Sequence, residues 1–169
     1  MTKKISLHDF QSYLAARLAG MGNQSSAGLL GIQAGADHWL LDLADSGEIV
    51  PLTPLTSVPL TQPWFAGVAN IRGNLYSVVD LSAFLGKEAT PQNASSRLLL
   101  IGTRHGSNAA LLVTRMIGLR NVEALHLEAS DPVAPAWARD AYSDNEGRRW
   151  KKLKVRELLA DEAFMEIGV

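Results

Sequence analysis

Chemistry near neutral pH needs side chains that titrate or attack there, and this chain offers few. It has four histidines, His8, His38, His105 and His126. None falls in an H-E-x-x-H pattern or at any other metal-ligand spacing. No G-x-S-x-G elbow and no S-x-x-K motif supplies an activated serine. The sequence has no cysteine, which removes disulfide scaffolds, thiolate zinc sites, iron–sulfur clusters and thiol nucleophiles together. His105 falls at a hairpin tip, where a solvated turn residue is expected. His38 opens a strand as a polar end. Asp42 and Asp45 lie close in sequence, and nothing nearby in the sequence suggests a second catalytic residue, a pattern of surface charge. The stretch 20–28, GMGNQSSAG, has no lysine for a phosphate loop and no G-x-G-x-x-G, and reads as a linker. These residues imply no catalytic group, no metal and no cofactor.

The most biased segment is basic, Arg148-Arg149-Trp150-Lys151-Lys152-Leu153-Lys154-Val155-Arg156. Read as a strand, its even positions make a basic face bearing Trp150, and its odd positions send Leu153 and Val155 to the core. The favoured reading is a solvated edge strand whose lysines block edge pairing. A docking face for an acidic protein comes second, and stacking with nucleic acid a distant third. The chain carries 16 Lys+Arg against 17 Asp+Glu, net −1, without the basic excess of a nucleic-acid binder.

The elements around these residues are mostly strands. At 169 residues and 47% hydrophobic, the chain is long enough for one domain with a core that needs no disulfide. Leu7, Phe10, Leu14 and Leu18 predict a helix over 6–19, docked on its own domain or on a partner. Strands follow at Leu29–Gln33, His38–Leu43 and Ile49–Leu52. A loop with Pro51, Pro54, Pro59 and Pro63 then crosses between sheets. Val68–Ile71 and Asn74–Val79 flank an Arg72-Gly73 turn. Asp80 caps a helical turn, Leu81–Leu85, stopped by Gly86. Lys87–Ser96 is a polar surface loop. Arg97–Thr103 and Asn108–Met116 are apolar on both faces and so are covered on both. Trp137–Tyr142 and Arg148–Val155 form a last pair, and Arg156–Met165 a closing helix. Eight to ten short strands with few helices predict an all-β barrel or sandwich. Apolar runs stay far below the ~18 residues that span a bilayer, and residues 1–20 lack a signal-peptide pattern. The expectation is a soluble cytoplasmic protein.

Residues 64–86, WFAGVANIRGNLYSVVDLSAFLG, resemble the signature of CheW-like coupling domains. That signature has Gly67-Val68, then Asn70-Ile71-Arg72-Gly73, a strand ending in Val78-Val79-Asp80-Leu81, and a short helix with Phe84-Leu85. Glu48-Ile49 stands where the family carries an acidic residue followed by an aliphatic one. The apolar strands 98–101 and 110–113, followed by Ile117-Gly-Leu, extend the resemblance to residues 28–160. GVANIRGNLYSVVDL and NEGRRWKKL look like the twitching-motility branch, the PilI-like proteins. Thr114-Arg115 and Ser77 depart from the family's frequent Asp and Pro.

The resemblance implies two SH3-like β-barrels sharing one core, with N- and C-terminal helices. It divides the chain into residues 1–27, a CheW-like domain over 28–160 and a tail over 161–169. It implies a non-enzymatic adaptor between the cytoplasmic tip of a chemoreceptor-like protein and the regulatory domain of a histidine kinase, controlling type IV pili. The adaptor would sit in the cytoplasm at membrane-bound receptor arrays, without inserting in the membrane or binding nucleic acid. A coupler of another array and a small ligand-binding barrel or hydrolase are the alternatives. The expected partner-binding residues are Arg72, Glu48, Gly67, Asn70, Gly73, Leu111 and Val113. Arg72 at a hairpin tip is expected to hold Glu48 through two parallel bonds, pinning the crossover and shaping a receptor groove, unless both are exposed and unpaired. Gly67 either admits a partner helix closely or serves backbone geometry. Leu111 and Val113 lie where the family meets partners, with core packing expected for at least one.

Overall fold

The computed structural model describes residues 28–101 and 107–169. The expected helix over 6–19, the linker up to residue 27 and the hairpin tip at His105 lie outside the described residues. Eleven strands build two sheets among the described residues. The first contains β1 (Leu29–Ala34), β2 (Asp37–Asp42), β8 (Arg115–Arg120), β9 (Leu125–Leu127), β10 (Ala141–Asp144) and β11 (Arg149–Lys152), in the order β8-β1-β2-β11-β10-β9. The second contains β3 (Ser46–Pro51), β4 (Phe65–Ile71), β5 (Asn74–Asp80), β6 (Arg97–Ile101) and β7 (Ala109–Val113), in the order β3-β6-β7-β5-β4. Among the described residues three short α-helices accompany the sheets: α1 (Leu81–Phe84), α2 (Val155–Leu159) and α3 (Glu162–Met165). The second sheet is one continuous stretch of chain nested inside the first. The predicted mainly-β architecture of two halves with a shared core is borne out.

Strand alternation explains that shared core. Leu99, Leu111 and Val113 point from β6 and β7 into a cluster with Ile32, Trp39 and Leu41 of the first sheet and Leu153, Leu158 and Phe164 beyond it. The alternate residues Leu98, Leu100, Ala110 and Leu112 point the other way, into a core private to the second sheet with Ala69, Ile71 and Val78. The first sheet keeps its own smaller cluster of Leu29, Leu40 and Trp150. All of β7 is buried, as its uninterrupted apolar run predicts. Each such leucine contributes about 2 kcal/mol of burial.

Local chemistry sets the junctions. Asp80 caps α1, as expected, with Oδ1 accepting from the Ala83 N–H. Past the helix, the Gly86 N–H donates to the Ala83 carbonyl and the Lys87 N–H to the Ser82 carbonyl, the paired closure of a Schellman end. The crossover after β3 is clipped by the chain's last residues: Thr61 bridges Gly168, and the Val169 N–H donates to the Leu60 carbonyl.

Several expectations are corrected. The strand expected to run to Met116 stops at Val113, and the residues read as a connector form β8. The cause is Thr114: its N–H donates to the Gln33 carbonyl and its hydroxyl accepts from the Gly35 N–H, which turns the chain from one sheet into the other. Residues 136–138 form a 3-10 turn, and the strand begins only at Ala141. The closing helix is two helices, because Asp161 starts a new one by accepting from the Ala163 and Phe164 N–H groups. The loop 87–96 is not wholly surface, since Thr90 and Ser96 are buried. The basic segment is neither an edge nor a Trp-bearing basic face. β11 lies between β2, which it meets in parallel, and β10. Trp150 is 0% exposed, its indole N–H donating to Asp144 Oδ2 at 3.0 Å. Leu153 and Val155 are buried as expected, because the chain leaves the strand after Lys152 and turns into α2.

Candidate functional site

Arg72 and Gly73 form the two-residue turn between β4 and β5, with Ile71 paired to Asn74. Both have positive φ, 52° and 85°, the handedness that matches the twist of the flanking strands. Glycine adopts this without strain, whereas arginine there costs about 1 kcal/mol. Asn70 shapes the same turn, its Oδ1 accepting from the Gly73 N–H at 2.9 Å. Asn70, Arg72 and Gly73 are all exposed.

From this turn Arg72 Nη2 reaches Glu48 Oε1 on β3. It is one contact, where the sequence reading expects two parallel bonds. Arg72 and Glu48 side chains are 65% and 46% exposed, so the pair adds only about 0–1 kcal/mol to stability. Its placement matters more than its energy. β3 and β4 are the opposite edges of the five-stranded sheet, so the pair spans the seam where that sheet curls on itself. Backbone closes the seam further along, where Thr56, past the end of β3, exchanges two hydrogen bonds of 2.9 Å with Val68.

Gly67 belongs to the same closure. It sits at a bulge between β4 and β5 with φ +133°, and an added Cβ would lie 2.5 Å from the Thr56 carbonyl oxygen. Its missing side chain admits the chain's own backbone, so the partner-helix alternative gives way to backbone geometry. Leu111 and Val113 are 0% and 1% exposed. Both point into the shared core, which corrects their expected place on a partner-facing surface.

The sequence reading missed two contributors. Thr56 carried no signal of its own, though a glycine inside a strand points to a bulge or a close backbone approach. Asp80 does more than cap a helix. Its Oδ2 accepts from the Thr90 N–H at 2.7 Å and its Oδ1 from the Thr90 hydroxyl at 2.6 Å. Among the described residues no three His, Asp or Glu side chains gather where a metal could be held. The site can present a guanidinium and a carboxylate, held together at a sheet seam, to another molecule.

Comparison with known proteins follows the same outline. Residues 28–163 match the CheW-like domain. The chain is 31% identical over 98 residues to Protein PilI of Pseudomonas aeruginosa, covering 58% of this chain and 54% of that protein. It is 27% identical over 110 residues to Chemotaxis protein CheW of Helicobacter pylori, covering 64% of this chain and 62% of that protein. The chain thus spans little more than half the length of these curated relatives. Among solved structures, the scaffolding protein TtCheW from Thermoanaerobacter tengcongensis aligns with a TM-score of 0.64 at 19% identity, over 75% of this chain and 88% of that one. That likeness is one of fold.

Proposed function

The chain belongs to the CheW-like domain family, and from that premise we propose that it is a non-enzymatic scaffold of a chemosensory system, joining a chemoreceptor-like protein to a histidine kinase. The observation that carries the reading is Arg72. It occupies a left-handed backbone position at an exposed hairpin tip and returns little stability through Glu48. Strain kept at an exposed polar residue is characteristic of a binding position. One Glu48 contact leaves the rest of the guanidinium fork available to a partner's carboxylate or carbonyl. The closed second sheet fixes the backbone of the turn that carries the fork, so no backbone ordering is needed on docking.

The likeness to PilI favours control of type IV pili over flagellar steering. In this reading the partners are the receptor's cytoplasmic tip and the kinase's regulatory domain, and the protein works in the cytoplasm at membrane-bound arrays. Among the described residues no helix is long and apolar enough to cross a membrane. The test is reconstitution with purified receptor tip and kinase regulatory domain, followed by size-exclusion chromatography. A ternary complex that forms only when this protein is present supports the reading. Failure to bind either partner overturns it. Deleting the gene should abolish twitching and spare swimming, and the reverse phenotype would assign the scaffold to a flagellar array.

A further inference from the structure

Three of the four tryptophans of the chain line one cavity. It measures about 580 Å³ and lies where β2, β10 and β11 of the first sheet meet α1, the segment 131–139 and the start of α3, a volume in the range of small-molecule sites. Its rings form a continuous run. Trp39 and Trp137 lie 6.1 Å apart, Trp137 and Phe84 5.6 Å, and Phe84 and Trp64 meet edge to face at 5.0 Å. Trp39 and Trp137 are buried, while Trp64 and Phe84, which both also pack on Phe164, are half-buried.

The rim is charged. Arg149 and Lys151 stand two residues apart on β11, on the side opposite buried Trp150, and both line the cavity together with Arg139. Lys151 Nζ lies 5.5 Å from the Trp39 ring centroid. Among the described residues none of these three cations pairs with a carboxylate. The two carboxylates that line the cavity are turned to the chain's own donors. Asp161 accepts from the Trp137 indole and from the Ala163 and Phe164 N–H groups. Asp131 accepts from the Val133 N–H. The lining thus carries three cations against two carboxylates, beside aromatic rings tilted 31°, 36° and 77° to their neighbours.

We propose that this cavity binds a small planar organic anion, an aromatic carboxylate whose ring lies against Trp64 and Phe84 and whose acid group is held by Arg149 and Lys151. Aromatic walls favour a flat ring, and a carboxylate met by two cations forms charge-assisted bonds stronger than neutral ones. The cavity shares no residue with the Arg72–Glu48 site, so the assignment stands whether or not the scaffold reading does.

The probe is 2-naphthoate, titrated into the full chain by calorimetry. Indole N–H resonances report its place. Expected is saturable one-to-one binding that shifts Trp39, Trp64 or Trp137 and leaves Trp150 still. Binding should weaken about tenfold or more for neutral 2-naphthamide and for the Arg149→Glu/Lys151→Glu variant. Arg148→Glu, a charge reversal on the same hairpin outside the cavity, should bind as the parent does. Near-ultraviolet circular dichroism establishes that each variant is folded. Trp64→Leu, which keeps the cations, should weaken binding by removing the ring surface. Absence of saturable binding overturns the proposal, as does undiminished binding by the charge-reversed variant or a shift confined to Trp150.

Discussion

Arg72 and Glu48 sit on opposite edges of one five-stranded sheet and are nonetheless bonded to each other. The contact is possible because the sheet curls until β3 and β4 face across a seam, which Thr56 and Val68 close with backbone hydrogen bonds. An exposed ion pair is a weak fastener, and the backbone pairing is the stronger closure. Removing the pair should therefore open little of the structure.

Arg72→Ala is expected to change folding stability by no more than about 1 kcal/mol, a few degrees in melting temperature for a domain of this size. Receptor-tip binding should fall sharply in the same preparation. Titration calorimetry beside a melting curve separates the two effects. Unchanged binding would remove Arg72 from the interface, and a collapsed melt would make it structural.

Gly67 makes a contrasting case. Any side chain there meets the Thr56 carbonyl at a φ that L-residues avoid. Gly67→Ala should cost about 2–4 kcal/mol, read as a lower urea midpoint, and Gly67→Asp at least as much. If alanine melts like the parent while aspartate alone loses partner binding, the crowding lies at a partner and not at Thr56.

Asp80 joins the end of β5, the start of α1 and Thr90 in one buried knot. Asp80→Ala strands the Thr90 N–H and uncaps the helix, at a cost of about 2–4 kcal/mol. Asp80→Asn keeps the shape and one acceptor oxygen, and should recover part of that loss in chemical denaturation. Equal midpoints for the two variants would show that the hydrogen bonds contribute nothing.

Two titrating groups touch Trp150, and both make the fold acid-sensitive. The Trp150 indole hydrogen bond, with the Arg148 and Glu146 N–H groups, holds the Asp144 carboxyl below its ordinary 3.8. Its charged form is favoured by folding, so its contribution is full above that value and is lost as pH falls through the lower folded value. His38 lies edge-on to Trp150 at 5.2 Å. Burial first, then Arg148 and Arg115, push it below 6.5 against the pull of Asp37 and Asp144. Its neutral form is favoured by folding, so stability is full above 6.5 and declines as pH drops toward the folded value. Urea midpoints measured from pH 7.5 to 3 should show two declines. His38→Gln should flatten the first and Asp144→Asn the second, and curves that keep both steps in the variants would refute the assignment.

The sequence made local features plain and left long-range ones hidden. The Arg72-Gly73 turn, the Asp80 cap and the doubly covered β6 and β7 each follow from a few adjacent residues, and each stands in the structure. The Arg72–Glu48 contact was legible because family resemblance pointed to both residues. Parity was legible only with its register fixed. Trp150 looked outward because the basic residues around it were assumed exposed, and one buried indole reversed the face. β8 was unreadable because its half-exposed residues show no alternation and its position depends on Thr114 gripping a hairpin 79 residues earlier in the chain. The Trp39–Trp137–Phe84–Trp64 run joins residues scattered over four segments, and no spacing in one window announces it.

The nesting of one sheet inside the other also sets an order of events during synthesis. The five-stranded sheet occupies residues 46–113, complete before β11 is made, whereas the β1–β2 hairpin must wait for β8 and β11, within residues 115–152, to pair its two outer edges. As the chain leaves the ribosome, the inner half has all its strands first and brings the two outer segments toward each other. It thereby shortens the loop that the first sheet must close. Until β11 arrives, the β2 edge and Trp39 lack their cover. A nascent chain stalled between residues 113 and 149 is thus the form most exposed to wrong pairing and to chaperones.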